Sequence, residues 1–180
     1  MNTGISKASE RYRCFIALPV LGAARDQCCS AQQNHRHAVP VDNLHLTLTY
    51  LSTISVDQIE AVKYALRTIC RRHRPFTLTL DRAETMASEV GHIFVAVPRP
   101  SLEIDRLHND IHLALNDINI DTSLLAWRPH ITLARPASMP AQNWHPVVMP
   151  VQSVVLYKSI YQRGAASHYE PLQCCSLADS

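Results

Sequence analysis

Trp-Arg-Pro-His-Ile-Thr-Leu-Ala-Arg, residues 127–135, is the stretch that decides how this chain folds. Within it, His130 and Thr132 alternate with Ile131 and Leu133, and the small Ala134 follows. An earlier copy has His45, Thr47 and Thr49 alternating with Leu44, Leu46 and Leu48. The two His-x-Thr-x tetrads begin 130 − 45 = 85 residues apart in a chain of 180, one in each half. Period-two alternation rich in Thr, Leu and Ile is the mark of a half-buried strand. Side chains i and i+2 of a strand share a face roughly 7 Å apart, so each tetrad sets an imidazole beside a hydroxyl, with leucines holding the other face to a core. A His and a Thr so placed both reach one small oxyanion. One copy alone reads as an ordinary surface strand; two in the same apolar frame predict a shared site.

Outward from the tetrads, residues 12–20 (YRCFIALPV) read as a strand and residues 21–34 as a helix, followed by a loop over 35–43. Ser55 is an N-cap for a helix whose stripe is Ile59, Val62, Ala65, Leu66 and Ile69. That helix ends in Arg71, Arg72, His73 and Arg74, basic residues that suit the negative end of a helix dipole. Residues 76–80 and 92–97 read as strands, with a polar turn over 81–91. Residues 101–118 form a second amphipathic helix with Pro100 just ahead of it. Residues 136–150 carry four prolines and read as a long loop, residues 151–157 as a strand, 161–168 as a polar loop and 169–174 as a short edge strand. The expected fold is α+β, with two pseudo-symmetric lobes. Each lobe is an antiparallel sheet backed by helices, and the tetrads face each other across a central cleft. Residues 1–10 are expected to be a flexible N-terminus and 11–180 a single bilobal domain.

Composition narrows the function. Hydrophobic residues are 47% and charged residues 18%, ordinary for a globular domain. No apolar run reaches the roughly 18 residues of a membrane span, so a cytoplasmic protein without a membrane partner, acting as a monomer, is expected. Six cysteines lie as two adjacent pairs and two singles, with no C-x-x-C or zinc spacing, and read as reduced thiols. The net charge of +2 does not fit a protein that coats long nucleic acid but fits one that grips its end. The four glycines form no phosphate loop or dinucleotide fingerprint.

Four pieces carry a resemblance: R-C-F-I-A-L from Arg13, N-L-H-L-T-L-T-Y-L around His45, R-P-H-I-T-L-A-R around His130, and V-V-L-Y-K-S-I followed by Tyr169. With them the chain resembles the two-histidine (2H) phosphoesterases, and among these the RNA 2′,3′-cyclic phosphodiesterase / 2′-5′ RNA ligase family. It departs from the family in Tyr50-Leu51-Ser52, where Phe-Leu-Gly is common. It also departs in residues 21–37, whose paired cysteines and His35 and His37 are expected to stay clear of the tetrads.

Opening a 2′,3′-cyclic phosphate requires a water to lose a proton, a ribose oxygen to gain one, and phosphoryl charge to be held. Histidine suits both proton roles when one imidazole is neutral and the other cationic near pH 7. In-line displacement sets acid and base on opposite sides of phosphorus. Thr47 and Thr132 donate to non-bridging oxygens and Arg135 adds a charged fork. No metal or other cofactor is required. The residues alone leave open which His is the acid. The resemblance implies His45 as proton donor to the 3′ oxygen and His130 as proton acceptor from water, giving a 2′-phosphate, with the reverse reaction joining a 5′-hydroxyl in 2′-5′ linkage. The implied partner is RNA ending in a 2′,3′-cyclic phosphate or a small cyclic nucleotide. Alternatives are a phosphodiesterase of 2′-5′ oligonucleotides or a non-catalytic RNA-end binder. Tyr50 and Tyr161 are candidate base or rim contacts. His108 and His112 have a zinc spacing, but Asn109 replaces the glutamate of the metalloprotease motif, and both read as solvated helix face. Trp127 and Trp144 read as packing residues.

Overall fold

Alternating apolar residues need a layer to bury them, and in this protein one layer serves every strand. The computed structural model describes residues 10–33, 35–88, 91–122, 127–135, 144–161 and 167–178. In chain order its elements are β1 (Arg11–Pro19), α1 (Gly22–Gln32), β2 (His45–Ser55), α2 (Val56–Cys70), β3 (Phe76–Ser88), β4 (Gly91–Pro98), α3 (Leu102–Asp117), β5 (Ile131–Ala134), β6 (Val147–Val151), β7 (Ser153–Ile160) and β8 (His168–Ser176). The strands form one sheet in the order β6-β3-β4-β5-β2-β1-β7-β8. Every neighbouring pair is antiparallel.

The expectation that each lobe carries a sheet of its own is therefore corrected: the strands belong to one sheet. The tetrad strands β2 and β5 lie side by side at the centre of one sheet, joined where Leu46 pairs with Ile131. The reason is the shared core. Leu46, Leu48, Ile131 and Leu133 are fully buried in one cluster with the stripes of all three helices, including Ala24 of α1, Leu66 of α2 and Ile111 of α3. Strands that bury the same face in the same core belong to one layer, and pairing satisfies their backbone groups. The helices thus cover one face of the sheet, and the His and Thr side chains of the tetrads emerge on the other.

The helix starts follow from local chemistry. The Ser55 hydroxyl accepts from the Gln58 amide at 3.3 Å while the Gln58 side chain accepts from the Ser55 amide at 2.9 Å, a reciprocal capping box. Ser101 caps α3 through the Ile104 amide.

Three boundaries differ from the sequence-based expectation. The polar stretch after Leu80 is not a turn: β3 runs on to Ser88, paired with β4 down to Ser88–Gly91. Its charged residues are accommodated because the hairpin extension is exposed, with Arg82 bonded to Glu84 at 2.8 Å. The proline-rich stretch ends in a strand, since β6 pairs Thr77 with Pro150 on the sheet edge, where a missing N–H leaves no ladder bond unmade. The strand expected over 151–157 divides at Gln152 into β6 and β7. The expected flexible N-terminus, except Glu10, and the loops over 136–143 and 162–166 lie outside the described residues. Cys14, Cys28, Cys70 and Cys175 are buried free thiols. No described helix is long and apolar enough to cross a membrane.

Truncating the seam tests this architecture. Leu46→Ala leaves a cavity at the register pair that joins β2 to β5, and is expected to cost about 2–5 kcal/mol in urea unfolding. A loss below about 1 kcal/mol contradicts a core shared across the seam.

Candidate active site

Register decides which side chains meet. With Leu46 opposite Ile131 in an antiparallel pair, His45 falls opposite Thr132 and Thr47 opposite His130, all on the helix-free face. The two histidines occupy diagonal corners, a separation of about 7–8 Å between diagonal neighbours. The hydroxyls take the other two corners. Arg135, just past β5, donates from Nη2 to the Thr132 hydroxyl at 2.9 Å.

Each imidazole is held the same way. His45 Nδ1 lies 2.7 Å from the Asn43 carbonyl and His130 Nδ1 lies 2.7 Å from the Arg128 carbonyl, two residues upstream in both cases. A carbonyl only accepts, so both Nδ1 atoms carry hydrogen. Both Nε2 atoms are thereby left for the site, as a lone pair in the neutral ring and as a donor in the cation. Asn43 is itself anchored, its side-chain amide donating to the Ser167 carbonyl at 2.6 Å.

The surroundings favour neutral rings. His45 packs on Phe15, with ring centres 4.8 Å apart, and meets Tyr169 edge-on at 5.2 Å. Phe15 in turn stacks on Tyr157 at 5.2 Å. Burial against this aromatic floor, with Arg135 and His130 nearby, pulls the His45 pKa down to about 4, against the support of the Asn43 carbonyl. Burial and Arg135 also lower His130, against the support of the Arg128 carbonyl. Both shifts favour the neutral imidazole in the free protein.

The structure brings His45, Thr47, His130, Thr132 and Arg135 together. Tyr50 stands at the rim, 53% exposed, with its hydroxyl 3.5 Å from that of Thr47. Tyr161 is 73% exposed and has no ring or hydrogen-bond contact among the described residues.

Other readings change. The segment before β2 does touch the second tetrad: the Val39 amide donates to the Leu133 carbonyl at 2.8 Å and the Arg135 amide to the His37 carbonyl at 3.0 Å. Proximity in the fold, with Ala38 bridged to Ala134, escapes any pattern in that stretch. His35 stacks on Phe94 at 4.5 Å. His108 is no solvated helix residue but stacks on Trp127 at 4.0 Å, and His112 bonds Thr122 at 2.6 Å. Trp127 does more than pack, donating its indole N–H to the Thr47 carbonyl at 3.1 Å and so tying the lead-in of one tetrad to the strand of the other. Asn43 and Arg128, whose carbonyls orient the rings, were passed over. Their common place two residues before each His was the available signal. Among the described residues no three His, Cys, Asp or Glu are grouped to hold a metal ion.

Two cavities flank the tetrads. One, of about 480 Å³, lies beside His45 over Phe15, Tyr50 and Tyr169. The other, of about 710 Å³, lies beside His130 and includes Arg128, Arg82 and Val97.

The sequence pattern described as the 2′-5′ RNA ligase superfamily matches residues 16–159. The chain belongs to that superfamily, the two-histidine phosphoesterases. An Escherichia coli (strain K12) relative named RNA 2′,3′-cyclic phosphodiesterase is 30% identical over 94% of this chain and 98% of its own length. Among solved structures, E. coli LigT complexed with 3′-AMP superposes with a TM-score of 0.78 at 29% identity, covering 94% of this chain and all of LigT. A Thermus thermophilus protein shares the fold with a TM-score of 0.76 at 24% identity over 92% of this chain and 97% of its own. Enzymes of this superfamily are two-histidine phosphoesterases, and this chain is one of them.

Histidine NMR tests the electrostatics. In the ligand-free protein the His45 ring is expected to titrate near pH 4, far below the ordinary value of 6.5, and saturating phosphate is expected to raise it. A free-protein midpoint near 6.5 contradicts burial as the controlling effect.

Proposed function

We propose that this chain opens RNA 2′,3′-cyclic phosphate ends to 2′-phosphomonoesters, with His45 and His130 as the acid–base pair. One observation carries the reading: two imidazoles present unengaged Nε2 atoms from diagonal corners of a four-residue square, with hydroxyls at the other corners and Arg135 on its edge. The name of the E. coli relative, and the 3′-AMP bound in the LigT structure, support a nucleotide phosphate as substrate.

The cyclic phosphate sits over the square with its non-bridging oxygens on Thr47, Thr132 and Arg135. His130 Nε2 takes a proton from water as the water oxygen bonds to phosphorus. On the far side the bond from phosphorus to O3′ breaks, and His45 Nε2 gives O3′ its proton. Exchange with solvent returns the proton from His130 to His45. The assignment of roles has its own support in the cavities. The leaving oxygen stays on the terminal nucleoside, so the acid belongs on the nucleoside side. The aromatic-floored cavity lies beside His45. The phosphodiester charge opposes Arg135 and raises His45 toward the cation it must be, which couples binding to readiness. Proton balance closes without a metal.

A second reading, reversible 2′-5′ ligation or cleavage of 2′-5′ oligonucleotides, is favoured by the cavity beside His130, which has room for a 5′-hydroxyl strand where water would stand. A small cyclic nucleotide fits the same square. A non-catalytic binder is disfavoured, because binding alone needs neither a proton donor nor an acceptor.

The test is opening of an oligonucleotide 2′,3′-cyclic phosphate in EDTA by single variants. His45→Ala and His130→Ala are each expected to lose at least about 10²–10⁴-fold in rate while circular dichroism stays native, and Arg135→Ala about 10²-fold. Full activity in either histidine variant contradicts the proposal.

A further inference from the structure

The cavity beside His45 extends past its aromatic floor to a polar end that ring opening does not use. Along β1, alternation sends Phe15 and Arg13 to the tetrad face, and β2 bulges opposite them. Arg13 pairs with Thr53 of β2, and the β1–β7 register that pairs Cys14 with Lys158 sets Ser159 beside Arg13 on its other flank. Arg13, Thr53 and Ser159 all line the cavity that also holds His45. The guanidinium therefore rises one residue pair beyond the ring on which His45 packs, about 7 Å further along the strand.

Arg13 is unemployed in the fold. It is exposed, and it has no hydrogen-bond or ion-pair partner among the described residues. The next cation on the same strand face behaves differently, since Arg11 donates to the Thr53 carbonyl at 2.6 Å and so fixes the backbone beside Arg13. Among the described residues lining the cavity none is a carboxylate, and beside Arg13 the hydroxyls of Thr53 and Ser159 are suited to donate to an anion. A guanidinium fork between two hydroxyls, facing an open cavity without a counter-charge, is built for a phosphate.

We propose that Arg13, Thr53 and Ser159 form a second phosphate subsite that holds the phosphodiester on the 5′ side of the terminal nucleotide. This rests on the ring-opening function proposed above and deepens it, making the substrate class the 3′ ends of RNA strands rather than free cyclic mononucleotides. The terminal nucleoside spans from the square to Arg13, its reacting phosphate by His45 and its 5′ phosphate in the fork. Tyr50 and Tyr169 flank the space between, where a base stacks on aromatic faces whatever its sequence.

Three probes separate charge from size: adenosine 2′,3′-cyclic phosphate, the dinucleotide ApA ending in a 2′,3′-cyclic phosphate, and the same dinucleotide with a neutral methylphosphonate bridge. The wild-type protein is expected to favour the natural dinucleotide in kcat/KM by about tenfold over both others, the size of one charge-assisted contact. In Arg13→Gln that advantage collapses toward unity, and Arg13→Lys restores part of it. Equal rates on charged and neutral bridges, or an undiminished ratio in Arg13→Gln, overturn the subsite and leave the ring-opening function intact. Failure of the wild-type protein to open any of the three overturns both.

Discussion

The contact between Leu46 and Ile131 is the constraint on which the rest depends. β2 and β5 share a single register pair, yet that pair fixes everything above it. On the helix side it places four apolar residues of the tetrads in one core. On the other side it sets His45 against Thr132 and Thr47 against His130. A slip of one residue would turn either tetrad over, burying a histidine among leucines and lifting a leucine into the site. The arrangement is therefore held by hydrophobic burial rather than by polar contacts within the site. The Trp127 indole bond to the Thr47 carbonyl reinforces the same seam from its edge.

The polar contacts do a different job, which is to orient. Both imidazoles use Nδ1 on a carbonyl two residues upstream, so the tautomer follows from backbone geometry that each strand supplies for itself. The two sides then diverge. His45 lies among Phe15, Tyr157 and Tyr169, and His130 beside a cavity that Arg82, Arg128 and Trp127 line. A symmetric pair of motifs is given unequal surroundings, and unequal surroundings are what the proposed division into acid and base requires of two identical groups.

Much of this was legible in the sequence, and the limits have physical causes. The two tetrads, the Ser55 cap and the helical stripes are local patterns, and local patterns read directly. That the tetrad strands pair with each other is a long-range fact that no alternation encodes. β3 beyond Leu80 and β6 were missed because exposed hairpin and edge strands tolerate the Asp, Arg, Glu and Pro that otherwise mark turns. The contact of residues 37–39 with β5, the stacking of His108 on Trp127 and the lowered pKa of His45 all arise from residues distant in sequence. The tetrads give the chemistry, while its electrostatics belong to the fold.

The most direct test of the central claim follows the phosphorus. An RNA oligonucleotide ending in a 2′,3′-cyclic phosphate is incubated with the protein in EDTA and observed by phosphorus NMR. Ring opening with His45 delivering its proton to O3′ predicts a new 2′-phosphomonoester resonance and no 3′-phosphate. A 3′-phosphate would contradict the assigned roles, and an intact ring would contradict the proposed reaction itself.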